Sequence, residues 1–177
     1  MQYTNNYKSP VGELLLSCDE KGLTGIWFSG GRYFAQGLSP DHKNKETDIF
    51  NQTKKWLDIY FSGKEPDFTP PLHLTGSEFR KNVGKIMCRI PYGKTITYGE
   101  IAKIIAEQTG LKKMSAQAVG GAVGHNPISI IVPCHRVVGT NGSLTGYGGG
   151  IERKVQLLTL EKTDMRKLFI PKKGTAL

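Results

Sequence analysis

Cysteine is scarce throughout this chain, and acidic residues are scarce in its second half. The three cysteines, Cys18, Cys88 and Cys134, are odd in number and far apart, which excludes a disulfide framework and a CxxC zinc site. No apolar run is long enough to span a bilayer, and no basic-then-apolar leader opens the sequence. Membrane insertion and secretion are therefore not indicated, and a reducing cytoplasm is the expected compartment. The 177 residues, 38% of them hydrophobic, allow one large or two small domains with a real core. The shortage of acid is uneven: residues 1–75 hold 8 Lys/Arg against 9 Asp/Glu, whereas residues 76–177 hold 16 against 6. A cationic excess confined to one segment suits a polyanionic partner, nucleic acid first, although a merely basic surface gives the same composition.

Short strands are predicted over residues 2–7, 11–17 and 22–28, with a Ser9-Pro10 turn between the first two. Ile49, Phe50, Thr53, Trp56, Leu57 and Tyr60 recur at helical spacing, so an amphipathic helix is expected over 46–61. Nothing in this half has the pattern of chemistry; His42 and His73 are isolated and read as loop or surface residues. Phe68-Thr69-Pro70-Pro71-Leu72 is an extended linker, which places a boundary near residue 75. Thr75-Gly76-Ser77-Glu78 has the form of a capping box and opens a helix through Phe79, Val83, Ile86, Met87 and Ile90. Cys88 near its end reads as a packing residue.

A second box, Thr97-Tyr98-Gly99-Glu100, starts another helix, and after a break at residues 109–113 a further one runs from Met114 to Val123. Two helices around a glycine-containing break form a helix-turn-helix pattern, shared by many unrelated helical hairpins. The second of them, with Ser115-Ala116-Gln117-Ala118-Val119-Gly120-Gly121-Ala122, is almost without bulk, and each interior glycine costs about 1 kcal/mol relative to alanine. Close approach to a partner surface such as DNA would offset that cost. So would tight packing against another helix.

The remaining signal is Pro133-Cys134-His135-Arg136-Val137-Val138, which sets a thiol beside an imidazole on a turn after the apolar run 128–132. Neighbouring positive charge and a paired histidine favour thiolate, the nucleophilic form, so a reactive Cys134 is expected.

With Asn126-Pro127 before that turn, the glycine-containing helix before Asn126, and Tyr147-Gly148-Gly149-Gly150 ahead of a last helix, the chain resembles the O6-alkylguanine-DNA alkyltransferases over nearly its whole length. The resemblance implies an α/β (α+β) two-domain fold: a ribonuclease-H-like mixed domain over 1–75, and a helical, winged helix-turn-helix-like catalytic domain over 76–177. It implies stoichiometric transfer of an alkyl group from guanine O6, and possibly thymine O4, to Cys134 after the base is flipped out of duplex DNA. His135 would take the thiol proton through a bound water, Glu161 would orient and stabilise the imidazole, Asn126 would tie the cysteine turn to the preceding helix, and Tyr98 would donate to guanine N3. Val137, Tyr147, Gly148 and Gly149 would line the base pocket with Lys154 at its edge. Ser115, Ala116, Gln117 and Gly120, with Arg80 and Thr140, would meet DNA in its minor groove, with an affinity that falls as salt rises. Arg136 reads as an internal ion-pair former and His125 as exposed. No cofactor and no metal are expected, and a monomer is.

Two positions depart from the family pattern. Gln117 stands where Arg is frequent, and Gly148 stands where Ser is frequent. Two other readings remain open from the residues: a non-catalytic module that recognises alkylated DNA, and a cysteine hydrolase using Cys134, His135 and Glu161.

Overall fold

The computed structural model describes residues 1–172. Strands β1 (Tyr3–Ser9), β2 (Gly12–Cys18), β3 (Leu23–Phe28) and β4 (Lys43–Asn44) form a sheet in the order β3-β2-β1-β4, antiparallel except for the β1–β4 pair. Ser9 pairs with Gly12, so Pro10 and Val11 make the first turn. Helix α1 (Asp48–Phe61) starts where Thr47 Oγ1 accepts the Phe50 N–H, and it packs against β1, β2 and β3. Its buried residues Phe50, Thr53, Trp56, Leu57 and Tyr60 are the stripe that the sequence spacing marks out.

All six residues of β3 are buried, because the strand is covered at its edge as well as on its faces. Ile26 forms a parallel bridge with Ile128, through Ile26 N–H to Pro127 O at 2.8 Å and Ser129 N–H to Ile26 O at 3.1 Å. The segment that leads to Cys134 is thereby attached to the N-terminal sheet.

The second half contains α2 (Glu78–Met87), β5 (Ile96–Thr97), α3 (Tyr98–Thr109), α4 (Ala116–Gly124), β6 (Val137–Val138) and α5 (Ile151–Leu160), with β5 and β6 paired in parallel. Ser77, rather than Thr75, caps α2 by accepting the Arg80 N–H. The box at α3 is complete: Thr97 Oγ1 accepts the Glu100 N–H and Glu100 Oε2 accepts the Thr97 N–H. Gly110, at φ 68, ends α3, and α4 begins at Ala116 behind its cap Ser115. The cores of the two halves merge, since Leu16, Ile26 and Tyr60 belong to the same buried cluster as Val83, Ile101, Val132 and Leu157.

From the sequence the chain after Met165 reads either as a docked strand or as a loose basic extension with Lys172-Lys173; Phe169 is docked, exchanging backbone hydrogen bonds with Gly142 and Leu144. Lys172 is exposed, and Lys173 lies outside the described residues. Among the described residues no helix is long and apolar enough to cross a membrane.

Candidate active site

Between α4 and β6 the backbone is set by Asn126. Its Nδ2 lies 3.1 Å from Ile128 O, 2.9 Å from Val132 O and 3.1 Å from Cys134 Sγ, while its Oδ1 accepts the Ile128 N–H. An amide nitrogen has only two hydrogens for those three acceptors, so the thiol competes for a donor that otherwise pins the turn. The turn is strained: Ile130, β-branched and fully buried, sits at φ 72, a conformation that costs about 1–3 kcal/mol and persists where its surroundings impose it. The run 128–132 is accordingly a bent segment with one bridge rather than a regular strand. Cys134 then opens a 3-10 turn over Cys134–Arg136.

Burial pushes the Cys134 thiol above its ordinary value, and the Asn126 bond and the Lys154 charge offset only part of that. The resting sulfur is a protonated thiol. The expectation that neighbouring charge and a paired histidine favour thiolate is not met at rest: desolvation outweighs the Asn126 bond and the Lys154 charge.

His135 is wholly buried and its Nε2 lies 2.6 Å from Glu161 Oε1. Burial lowers the imidazole pKa, against the upward pull of Glu161, so the ring is neutral and carries its hydrogen on Nε2. Nδ1 is buried with no hydrogen-bond partner among the described residues and is left as an acceptor. Glu161 is the C-cap of α5 and is 2% exposed. Arg136 holds it through Nε at 2.8 Å and Nη2 at 3.0 Å, and Gly93 N–H reaches Oε2 at 3.2 Å. Gly93, at φ 73, could carry no side chain there, since a Cβ would meet Glu161 O at 2.8 Å. Burial by itself would raise the Glu161 carboxyl; the bonds from His135 and Arg136 more than reverse this and hold it at about 2. Arg136 is the internal ion-pair former that the sequence indicates.

A cavity of about 30 Å³ reaches the thiol, lined by Cys134, Asn126, Val123, Tyr147, Gly148 and Gly149 among others. Gly149 is fixed by packing, because a Cβ on it would stand 2.7 Å from the Tyr147 ring and 2.8 Å from Phe28. Gly148 is not so constrained: a Cβ there meets Gly124 O at 3.5 Å and Tyr33 at 3.7 Å, ordinary contacts that would accept a serine. Two expected pocket residues stand apart from this wall. Val137 spends its backbone internally, its N–H on Cys134 O and its carbonyl on Lys154 Nζ at 2.6 Å. Lys154 is fully buried rather than at a rim, bonded to Val137 O and Thr145 O, and burial lowers its ammonium to about 8, an effect that a thiolate at Cys134 would oppose. Tyr98 is buried as well, with its hydroxyl on Thr145 O at 3.1 Å.

The N-terminal half supplies part of the site, contrary to its bland sequence. Phe28, Gly31, Tyr33 and Phe34 line the cavity, Arg32 N–H donates to Gly148 O at 3.0 Å, and Tyr33 stacks on His125 with centroids 4.2 Å apart. His125 is thus half-buried, not exposed. Tyr60 Oη donates to Glu161 Oε1 at 2.7 Å. The double glycine at Gly30-Gly31 beside three aromatic or cationic residues was a usable signal for the loop. Tyr60 gave none beyond its place in the apolar stripe.

Ala116 and Gln117 on α4 and its cap Ser115 are exposed, Thr140 is exposed after β6, and Arg80 is exposed on α2, where it lines a surface cleft with Lys81, Ala122 and His125. Gly120 departs from this group, being buried on the packed side of α4 with Val119 and Val123. The open position is Gly121, where a Cβ would meet nothing within 4 Å. The two explanations for a helix without bulk apply to different glycines, close packing at Gly120 and an open face at Gly121. Cys88 is exposed, which corrects its reading as a packing residue. His73 is paired with Asp19 at 2.7 Å. Among the described residues no three His, Cys, Asp or Glu side chains gather as a metal site.

Residues 2–74 match the family described as "6-O-methylguanine DNA methyltransferase, ribonuclease-like domain", and residues 78–163 match its "DNA binding domain". A Methanosarcina mazei protein named methylated-DNA–protein-cysteine methyltransferase is 44% identical over 93% of this chain and 99% of its own. A Mycobacterium tuberculosis protein of the same name is 45% identical over 88% of this chain and 89% of its own. The crystal structure of M. tuberculosis O6-methylguanine methyltransferase superposes with a TM-score of 0.74 at 42% identity, covering 92% of this chain and 93% of that one. The M. tuberculosis OGT structure in complex with DNA gives 0.76 at 42% identity, covering 90% and 92%. Matched in both halves and 44–45% identical to such relatives over most of its length, the chain belongs to the 6-O-methylguanine DNA methyltransferase family.

Proposed function

We propose that this protein repairs DNA by moving the alkyl group of O6-alkylguanine, and of O4-alkylthymine where it fits, onto its own Cys134, once per molecule. The observation that carries the reading is a single buried thiol at the end of a cavity, bonded to Asn126 and followed by a neutral His135 locked to Glu161. In the transfer the sulfur attacks the alkyl carbon, an S–C bond forms and the C–O6 bond breaks. The thiol proton passes to His135 Nδ1 through one water, leaving an imidazolium that Glu161 stabilises. Tyr98, turned from Thr145 O to guanine N3, supplies the proton with which the base leaves neutral; the tyrosinate regains one from water as the imidazolium releases its own, so no proton is gained or lost overall. A thioether has no facile exit for the alkyl group, so the protein is consumed.

A base inside the stack cannot present its O6 substituent, so it is flipped into the cavity. Space for about a water or two must widen to admit a purine. The exposed small residues Ser115 and Ala116 and the open Gly121 fit a helix that approaches the minor groove, with Arg80 and Thr140 flanking it. The protein acts as a monomer, and its free cysteines fit a reducing cytoplasm.

Intact-protein mass after mixing with an equimolar duplex carrying one O6-methylguanine tests the reading. The expected result is the gain of one methylene per chain, absent in Cys134→Ala. Tight lesion binding without a mass gain would instead favour the recognition module, and repeated turnover would favour a hydrolase. Gln117, at the start of α4, fills the gap left by the flipped base without the charge or planar stacking of an arginine. Gln117→Arg is expected to speed repair of duplex DNA by roughly 2- to 30-fold, the worth of one stacked cation, with no gain on single strands. Equal rates in the two proteins on duplex would refute that role.

A further inference from the structure

We infer that Tyr60, a residue of the N-terminal half, is a positioning residue that sets the basicity of His135 by sharing the Glu161 oxygen to which His135 is bonded. This rests on the reading of Cys134 and His135 as a proton-transfer pair. Tyr60 Oη lies 2.7 Å from Glu161 Oε1 and 3.4 Å from His135 Nε2, and His135 Nε2 lies 2.6 Å from the same Oε1. All three side chains are buried. The imidazole hydrogen on Nε2 points at Glu161, so the tyrosine hydroxyl has the carboxylate, not the ring, as its acceptor. Tyr60 Oη, His135 Nε2 and Arg136 Nη2 therefore divide one oxygen, and of these only the tyrosine donor is both neutral and outside the transfer itself.

The consequence follows from simple electrostatics. A hydroxyl that donates to Oε1 draws off part of its negative charge and weakens the pull of that oxygen on the imidazole N–H. It makes the imidazolium form less favourable than Glu161 alone would make it. The groups facing the His135–Glu161 pair are Tyr60 from α1, Tyr92 and the Gly93 amide from the turn after α2, Arg136 from the 3-10 turn, Tyr147 from the glycine loop and Lys154 from α5. Arg136 is a permanent cation and Gly93 a fixed amide donor, and neither can be removed without unpairing Glu161. Tyr60 is the member whose polar atom can be deleted while its packing stays, since its ring stacks on Trp56 at 5.2 Å and meets Phe61 and Tyr92 edge-on.

In the full-length protein, Tyr60→Phe is expected to move the acid limb of Cys134 alkylation by iodoacetamide upward. The shift should be roughly half to one pH unit, the size of one hydrogen bond's net contribution, with a faster rate on the plateau. In that reaction the sulfur displaces iodide and the thiol proton goes to His135. Peptide-resolved mass spectrometry separates Cys134 from the exposed Cys88. Thr53→Val is the control, because Thr53 is a buried hydroxyl on the same helix that bonds only Ile49 O among the contacts described, and its loss should leave the limb in place. An unchanged or downward-shifted limb in Tyr60→Phe, or an equal shift in Thr53→Val, overturns the inference. Because the probe is not DNA, a shifted limb in a protein that takes no methyl group from O6-methylguanine would sustain the role of Tyr60 and defeat the proposed repair function.

Discussion

Replacing Glu161 by alanine is expected to destabilise the folded protein by about 3–5 kcal/mol, the penalty for leaving a buried charge without its partner. Arg136 is 8% exposed, and two of its three hydrogen bonds go to this carboxylate; the third, to Ile90 O, cannot neutralise it. His135, Tyr60 and the Gly93 amide lose an acceptor in the same step. Since small proteins are stable by only about 5–15 kcal/mol, the variant should unfold at a clearly lower urea midpoint. Glu161→Gln keeps the volume and loses the charge, and it isolates a dependence on pH. The Glu161 carboxyl lies at about 2 in the folded protein against an ordinary 4.5, so its stabilisation is complete above the higher value and is lost as pH falls through the lower one. Wild type should weaken across that window more steeply than Glu161→Gln. Parallel acid-unfolding curves, or an alanine variant with an unchanged midpoint, would show that Arg136 and not Glu161 anchors the cluster.

Why the share of Tyr60 in this cluster escaped the sequence, when the helices and the His135–Glu161 pair did not, is a matter of range. Phe50, Thr53, Trp56, Leu57 and Tyr60 announce α1 because helical periodicity is local, and Thr97 with Glu100 announces α3 because a capping box spans one turn. Tyr60 and Glu161 are 101 residues apart, and nothing near either tells that an apolar-stripe tyrosine turns its hydroxyl onto the C-cap of the last helix. The Cys134 error has the same root. His135 and Arg136 are visible beside the thiol, but the burial that raises its pKa is a property of the folded chain, and His135 faces Glu161 while Arg136 is spent on it. Lys154 likewise reads as a residue at the pocket's edge until the carbonyls of Val137 in β6 and of Thr145 are folded over it. Asn126 was legible because its partners lie within eight residues, so motif and geometry coincide there.

Under the proposed transfer, His135→Gln is expected to slow methylation of Cys134 by about 10²–10⁴-fold near neutral pH, the usual contribution of a positioned base. The protonated resting thiol is what makes the loss large. A sulfur that stood as thiolate would need no base, but burial holds the Cys134 pKa above its ordinary value, so without His135 only a small fraction is nucleophilic. The variant should also acquire a new pH dependence. Its rate should climb about tenfold per pH unit as hydroxide replaces the lost base, until the thiol itself ionises, whereas the wild-type rate stays level over the same range because His135 is already neutral there. Single-turnover methylation of an O6-methylguanine duplex across that range measures both. A variant with the wild-type rate at neutral pH would exclude His135 as the base. One that is slow at every pH, with no recovery as the thiol ionises, would mean that His135 acts by shaping the turn through Glu161 rather than by accepting the proton.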